Sequence, residues 1–262
     1  MTDAVNVRDV YDAQERRGAV ADAPGALVER VGDVVRQTAP ADGWNGVLWS
    51  RLTADTADAE IAAQVAHFAG AGAEDFEWKL YDHDGPADLA ARLTAAGFVP
   101  EPPETLMVAR VAEVAAEPVV PEGITLVPVT DEAGVDLMME VHRQAFEVTR
   151  PRIRAQLLTR LTEAPETITA VVAMAGDRPV SAARMEMRAG SSFAGLWGGG
   201  TVEEWRGKGI YRSLISHRAR EAAARGIPYL QVDASDNSRP ILERLGFEVL
   251  GVTTPYIWSA GR

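Results

Sequence analysis

The sequence predicts an α/β (α+β) protein made of two tandem mixed-sheet units, residues 1–117 and residues 118–262, of which the first is truncated. Stretches in which every second residue is apolar, as in strands, alternate with longer stretches in which apolar residues recur every three or four positions, as in helices. An order of strand, helix, strand and helix occurs twice along the chain. Between the two occurrences, residues 112–121 are rich in Ala, Glu, Val and Pro, which is typical of a linker.

The first unit is predicted to begin with helical segments and to continue as alternating strands and helices. The predicted elements are helices at 5–17 and 24–31, strands at 33–38 and 44–52 around a turn at 39–43, a helix from Thr56 or Asp58 to Gly70 or Gly72, a strand at 76–82, a helix opening at Pro86 and closed by Gly97-Phe98, and a strand at 105–111.

The second unit is predicted to contain the same kinds of element in a longer series. They are a strand at 124–127, helices at 135–147 and 153–161, strands at 167–175, 179–188 and 193–202, a helix beginning at Ile210, a strand at 229–234, a helix after 236–240 that Gly246-Phe247 ends, and short strands at 248–252 and 256–258.

Composition narrows the classes of function. A chain of 262 residues with 47% hydrophobic and 24% charged residues has ample material for a folded core. A net charge of −12 argues against a nucleic-acid partner. The absence of cysteine excludes disulfides, thiolate metal sites and a cysteine nucleophile, and the four histidines lack metal-ligand spacing, so we expect no metal. With no long apolar run and no signal-like start, we expect a cytoplasmic protein without a membrane partner.

A basic, glycine-rich loop stands out against the acidic background. Arg206-Gly207-Lys208-Gly209 follows an apolar strand and precedes a helix that opens at Ile210-Tyr211. Glycine permits a positive φ and a close approach to the main chain, and a helix N-terminus attracts anions through its free N–H groups. The loop therefore predicts a phosphate site. Its spacing fits neither the Walker pattern nor the dinucleotide fingerprint.

The segment Arg206–Tyr211 resembles the pyrophosphate loop of the GNAT acetyltransferase superfamily, which binds the diphosphate of acetyl-coenzyme A. Arg206, Gly207, Lys208, Gly209 and Ile210 match the loop, whereas Tyr211 stands where the family usually has Gly or Ala. The change keeps the backbone N–H. The resemblance implies that these six residues hold acetyl-CoA as co-substrate.

The resemblance extends to the neighbouring strand and to a later helix. Three glycines at 198–200 interrupt the strand, and glycine inside a strand marks a bulge or a close approach of a ligand. In the family this strand separates from its neighbour and pairs with the pantetheine arm, which implies that the main chain of Thr201 and Val202 binds the cofactor. Asn237, at the start of the helix after the fifth family strand, is implied as a further cofactor contact.

The two units share landmarks at nearly constant spacing. Trp49 and Trp197 are 148 residues apart, and Gly97 and Gly246 are 149 apart. Opposite the basic loop, the first unit has Asp58-Ala-Glu-Ile61, with two carboxylates and no glycine, so it should not bind a diphosphate. The pattern resembles tandem GNAT proteins with a degenerate first half that lacks the CoA loop. Two unrelated α/β segments with a common layout are the alternative.

The residues for proton transfer depart from the family pattern. The family often has a tyrosine four residues before the Gly-Phe glycine, where Leu242 stands. Ser238 or Tyr256 could then protonate the departing thiolate, or no acid is required, because a thiol with a pKa of about 8.5 is a fair leaving group.

A base should convert an ammonium acceptor into the attacking amine. Relatives often place a carboxylate eleven residues before the arginine, but here that residue is Gly195. If the hairpin turns over 189–192, Glu186 lies directly across from Gly195 and shares its face. Glu186 is therefore our candidate base, and a solvent-exposed strand glutamate is the alternative.

Together with these residues, the resemblance to the GNAT superfamily implies an acyl-CoA-dependent N-acyltransferase, most readily an acetyltransferase, that acts on an amine of a small molecule or peptide. The net negative charge slightly favours a cationic acceptor, although an acidic surface most often serves solubility. The alternative is a non-catalytic sensor or scaffold that binds acyl-CoA. The sequence leaves open the acceptor, the acyl chain and the oligomeric state, including a homodimer, because acceptor choice depends on segments such as 148–161.

Overall fold

The computed structural model describes residues 6–40, 43–146 and 151–261. The chain forms two compact units: unit 1 contains residues 6–106, 233–236 and 249–261, and unit 2 contains residues 107–232 and 237–248, within the described ranges. The boundary predicted between residues 117 and 118 falls inside unit 2. As a boundary between two related copies it stays a prediction.

The elements in chain order show a mixed α/β fold. They are α1 (Val7–Tyr11), a π-helical segment (Asp12–Arg17), β1 (Leu27–Val31), β2 (Val34–Thr38), β3 (Gly46–Ser50), α2 (Ala57–Gly70), β4 (Asp75–Tyr81), α3 (Leu89–Ala95), β5 (Val99–Pro100), β6 (Glu104–Arg110), α4 (Val111–Val114), β7 (Ile124–Pro128), α5 (Glu132–Phe146), α6 (Pro151–Glu163), β8 (Ile168–Ala175), β9 (Arg178–Met187), β10 (Phe193–Thr201), α7 (Ile210–Ala224), β11 (Tyr229–Ala234), α8 (Arg239–Arg244) and β12 (Glu248–Ser259).

In unit 1 the strands run in the order β1-β2-β3-β4-β12, and β5 pairs with β12. β3 and β4 are parallel, and the other pairs are antiparallel. The helices α2 and α3 bury their inward residues, Ile61, Phe68, Leu89 and Leu93, against the sheet. Their spacing of four and seven residues is the helical period that the sequence showed.

In unit 2 the strands run in the order β11-β10-β9-β8-β7, with β10 and β11 parallel and the others antiparallel. The helices α5 and α6 pack with one apolar cluster, which includes Met138, Leu157 and Ala182. Helix α7 packs with another through Ile210 and Leu214. The mixed sheet predicted from the sequence is confirmed in this unit.

Three local predictions were wrong. The segment predicted as a helix at 24–31 contains β1, because Gly32, with φ of 59°, allows a hairpin with β2. The two C-terminal strands are the single strand β12, which continues through Pro255, whose carbonyl accepts the Glu101 N–H at 2.8 Å. The segment predicted as linker at 112–121 includes most of α4.

Within the described ranges, no helix combines the length and the apolar character that crossing a membrane requires.

Candidate functional site

The basic loop lies between the end of β10 and the start of α7, as predicted. A 3-10 turn, Glu203–Trp205, follows β10, and α7 begins at Ile210. Gly207 has φ of 74° and Gly209, the residue before α7, has φ of 84°. Other residues rarely adopt such values, so both positions favour glycine, and the predicted positive φ is confirmed.

The backbone N–H groups of this loop are available to a ligand. Among the described residues, Gly207, Lys208 and Gly209 donate no hydrogen bond to a backbone carbonyl, and all three are exposed. Helix α7 has 15 residues and no acidic residue in its first turn. Its N-terminus therefore presents free donors and a partial positive charge to the same space. The geometry suits an anion with several oxygens.

Arg206 connects the loop to the rest of unit 2. Its Nε donates to the Thr201 carbonyl at 3.1 Å, and its Nη2 donates to the Ala145 carbonyl at the end of α5 at 3.3 Å. The Lys208 ammonium lies 4.4 Å from the centre of the Trp205 ring, a cation–π contact. The two cations therefore hold the loop in shape while adding positive charge to it.

Strands β10 and β11 separate beside this loop. Their parallel pairing covers Phe193 to Gly195 and ends where Gly195 lies opposite Gln231, although both strands continue. A register shift between Trp197 and Gly200 interrupts the pairing of β10 with β9. The bulge that the glycine run predicted is confirmed, and it lies where the strands part.

The three glycines are also required by packing inside the protein. A Cβ on Gly199 would lie 3.1 Å from the Tyr211 ring, and one on Gly200 would lie 2.8 Å from the Phe146 ring. Gly198 has φ of 59°, and its carbonyl is 3.1 Å from Nε2 of His142. The three glycines therefore allow side chains of α5 and α7 to lie close to the main chain of β10, in addition to any ligand.

The main chain of Val202 does not face the gap between the strands. Its N–H donates to the Val180 carbonyl at 2.9 Å, and its carbonyl accepts the Trp205 N–H at 2.9 Å. Both groups thus have partners within unit 2, and the role of Thr201 and Val202 toward pantetheine stays a prediction. The hydroxyl of Thr201 pairs with that of Ser181 at 2.8 Å, and the carbonyl of Thr201 accepts from Arg206.

Glu186 lies directly opposite Gly195, as the hairpin predicted. Its Oε1 accepts from Nε of Arg184 at 2.6 Å, and its Oε2 lies 2.5 Å from Nη1 of Arg160. Burial acts to raise the pKa of Glu186, but the charges of Arg184 and Arg160 outweigh it and place the pKa below its ordinary value. A carboxylate held in this way is a weak base.

The space above Gly195 is filled by two polar side chains. A Cβ on Gly195 would lie 2.5 Å from Nε1 of Trp197 and 2.7 Å from Nε2 of Gln231. Gln231 is 5% exposed, and its Oε1 has no hydrogen-bond partner among the described residues. Gln231 was not predicted as a site residue. The available signal was a polar residue within the apolar strand at 229–234.

The other predicted site residues lie outside the basic loop and outside β9 and β10. Asn237 is exposed in the turn before α8, and Ser238 is partly buried there, with its carbonyl accepting the N–H groups of Ile241 and Leu242. Tyr256 is 8% exposed in the apolar core of unit 1, so it does not belong to the unit that carries the loop. Leu242 is fully buried.

Within the described part of the chain, no three His, Asp or Glu side chains are grouped so that they could hold a metal ion.

Residues 137–255 match the family model described as "Acetyltransferase (GNAT) domain". The second half of the chain is thus similar to this domain over the matched residues. The matched residues include the basic loop, β8 to β11 and most of β12. No curated protein matches the chain.

Several solved structures share the fold over nearly the whole chain. A GCN5-related N-acetyltransferase from Kribbella flavida has a TM-score of 0.70 at 17% identity and covers 100% of this chain and 98% of its own. A functionally unknown conserved protein from Staphylococcus epidermidis has a TM-score of 0.70 at 12% identity, covering 93% and 96%. A tandem GNAT protein from the clavulanic acid biosynthesis pathway has a TM-score of 0.62 at 17% identity, covering 92% and 85%. At these identities the similarity shows the fold.

Proposed function

We propose that this protein is an acyl-CoA-dependent N-acyltransferase that moves an acetyl group from acetyl-CoA to an amine of a small molecule or peptide. One observation carries the proposal. Within the residues that match the GNAT domain, a loop with two glycines at positive φ presents unused N–H groups at the N-terminus of α7, beside the point where β10 and β11 separate.

The residues of the loop fit a diphosphate. The N–H groups from Gly207 to Tyr211 would donate to its oxygens, and Arg206 and Lys208 would balance its charge. The exposed Asn237 is close in sequence to β11 and is proposed as an additional contact. The main chain of Thr201 and Val202 remains the proposed contact for the pantetheine arm.

Bound acetyl-CoA would supply an acyl group activated as a thioester. The amine nitrogen forms a bond to the acyl carbon while the carbon–sulfur bond breaks, the thiol leaves, and the amine loses one proton. No activated nucleophile lies near the loop among the predicted site residues, so transfer is proposed to be direct. Ser238 and Tyr256 remain the proposed acids, and Glu186 remains the proposed carboxylate at the acceptor.

The pKa of Glu186 determines the expected pH dependence. Since Arg184 and Arg160 lower this pKa, Glu186 is ionised but takes up a proton weakly at neutral pH. The rate of transfer should therefore follow the neutral fraction of the acceptor amine and rise until the pH reaches the acceptor's pKa.

Unit 1 is proposed to be a degenerate copy that completes the fold and does not bind the cofactor. Its helix α2 begins with two acidic residues, Asp58 and Glu60, where unit 2 has its basic loop. The proposed arrangement is that of a tandem GNAT protein.

A second candidate is a sensor or scaffold that binds acyl-CoA without turnover. It is favoured by the buried Leu242 at the family's tyrosine position and by the two arginines that hold Glu186.

The two candidates are distinguished by measuring thermal stabilisation by acetyl-CoA and release of free thiol from it with a panel of amines. Acyl transfer predicts both stabilisation and amine-dependent release. Stabilisation without release on any amine supports the sensor, and the absence of stabilisation at saturating acetyl-CoA contradicts both.

A further inference from the structure

Polar side chains lie in one row across three strands of unit 2. Gly195 on β10 lies opposite Glu186 on β9 and opposite Gln231 on β11. Directly opposed residues share a face, and adjacent strands are about 4.8 Å apart, so the Cα atoms of Glu186 and Gln231 are separated by roughly 10 Å. Arg160 of α6 contacts Glu186, which shows that α6 covers this face.

The amide oxygen of Gln231 has no hydrogen-bond donor within the part of the chain that the structure describes. The side chain is buried, and its Oε1 has no partner among the described residues. A buried acceptor without a hydrogen bond is costly and uncommon in folded proteins. Since the residue stands where β10 and β11 part, a ligand that enters between them could supply the missing N–H.

Unit 1 contains a similar arrangement in which the oxygen is satisfied. Gly46 on β3 lies opposite Glu77 on β4 in a parallel pair, as Gly195 lies opposite Gln231. There the indole Nε1 of Trp44 donates to Oε2 of Glu77 at 2.9 Å. Among the described residues of unit 2, no donor to Oε1 of Gln231 corresponds to the Trp44 indole of unit 1.

Two arginines surround Glu186, which lies two strands away from Gln231 in the row. Arg160 and Arg184 share the single carboxylate of Glu186, and their side chains are 14% and 15% exposed. Weakly hydrated guanidinium groups in this setting attract a carboxylate or phosphate and bind it with directed hydrogen bonds.

We infer that the acceptor carries an acidic group close to its amine, as an amino acid does. Oε1 of Gln231 accepts an N–H of the amine, and Arg160 and Arg184 bind the acidic group. The inference rests on the proposed acyl transfer and names its acceptor class. It replaces the cationic acceptor that the net charge of −12 favours, because the charge around a site, rather than the sum over the chain, determines what binds there.

The first test compares α-amino acids with their carboxamides as acceptors in the thiol-release assay. We expect kcat/KM to be about 10- to 100-fold higher for the acids, the usual range for charge-assisted hydrogen bonds. The difference in basicity acts against the expected result. The carboxamide is the less basic amine, so a larger fraction of it is neutral and reactive at a given pH. Equal rates for acids and carboxamides overturn the inference and leave the proposed function standing. Turnover with neither, while other amines of the panel react, also overturns the inference and leaves the proposed function standing, whereas release with no amine of the panel contradicts the proposed function and the inference fails with it.

The second test uses variants of the row. Arg160→Met should raise KM for the acids about 10- to 100-fold while KM for acetyl-CoA stays unchanged. The matched control is Arg154→Met on the same helix, which removes a surface pair with Glu132 and Asp136 and should change neither KM. Unfolding temperatures of both variants verify folding. An equal loss for acids and carboxamides would show a structural role for Arg160 and overturn the inference.

Gln231→Glu keeps an oxygen acceptor and adds a negative charge. It should reverse the preference, lowering kcat/KM for the acids and raising it for the carboxamides. An unchanged preference in a folded variant would overturn the placement of the amine at Gln231.

Discussion

The junctions β3–α2 and β10–α7 follow the same local layout but differ in charge and backbone. Helix α2 begins after Thr56, whose φ is −103°, and its first turn carries Asp58 and Glu60. Helix α7 begins after Gly209 in the left-handed region and has no acid in its first turn. In both units the strand before the junction pairs in parallel with the strand that follows the helix, β3 with β4 and β10 with β11. The same strand–helix layout therefore occurs both with and without the features of an anion site. The residues of the loop determine whether those features are present.

The largest effect is expected from reversing the charge of the unit 2 junction. Arg206→Glu with Gly209→Glu should weaken acetyl-CoA binding at least about 1,000-fold, or about 4 kcal/mol, because a guanidinium is lost and two carboxylates are placed beside the diphosphate. Binding is measured as the thermal shift of each variant relative to its own ligand-free form. Asp58→Asn with Glu60→Gln, at the unit 1 junction, is the control and should leave the shift unchanged. Full binding by the loop variant would remove the loop assignment.

A buried ion pair in unit 1 allows the structural role of that unit to be tested separately from acetyl-CoA binding. Lys79 and Asp233 form this pair within unit 1, and the Asp233 side chain is 2% exposed. Asp233 raises the pKa of Lys79 against the effect of burial, so the ammonium stays charged.

Lys79→Met should lower the free energy of unfolding by about 3 kcal/mol, because it leaves a buried carboxylate without its partner. Chemical denaturation measures the loss, and Lys79→Met with Asp233→Asn should restore part of it. If unit 1 is structural, the acetyl-CoA shift persists in the single variant. Loss of the shift in a folded Lys79→Met protein would contradict this division of roles.

A smaller effect concerns Glu104 in unit 1. Burial, helped by the charge of Asp233, raises the pKa of Glu104 to about 7. The folded state holds this proton more tightly than the unfolded chain, whose carboxyl pKa is about 4.3. The resulting stability is present below about pH 4.3 and is lost as the pH rises through about 7.

Glu104→Gln should therefore reduce the fall in unfolding free energy between pH 5 and pH 8 by about 1–2 kcal/mol, a value discounted for partial exposure. Denaturation curves at both pH values provide the measurement, with Asp55→Asn, at an exposed residue of unit 1, as control. The same fall in Glu104→Gln and in the unchanged protein would show that this carboxyl is not the titrating group.

The sequence contained the local features of the site. Glycine spacing after a strand predicted the loop, since the two positive φ values at Gly207 and Gly209 are a property of those residues. The length of the hairpin predicted that Glu186 lies opposite Gly195, because register follows from the turn.

The remaining features depend on contacts between distant segments. Arg160 reaches Glu186 from α6, and no local pattern in either segment indicates this pair. The Val202 N–H donates to the Val180 carbonyl on β9, a contact that the sequence did not indicate. Residues 233–236 and 249–261 belong to unit 1 although most of unit 2 precedes them in the sequence. The composition of a linker could not predict this.

The comparison of the two junctions is tested most directly by amide hydrogen exchange with and without saturating acetyl-CoA. Protection should appear at residues 206–211, where free N–H groups would bind the diphosphate, and should be absent at residues 56–61. Protection at 56–61, or at neither segment, would contradict the account.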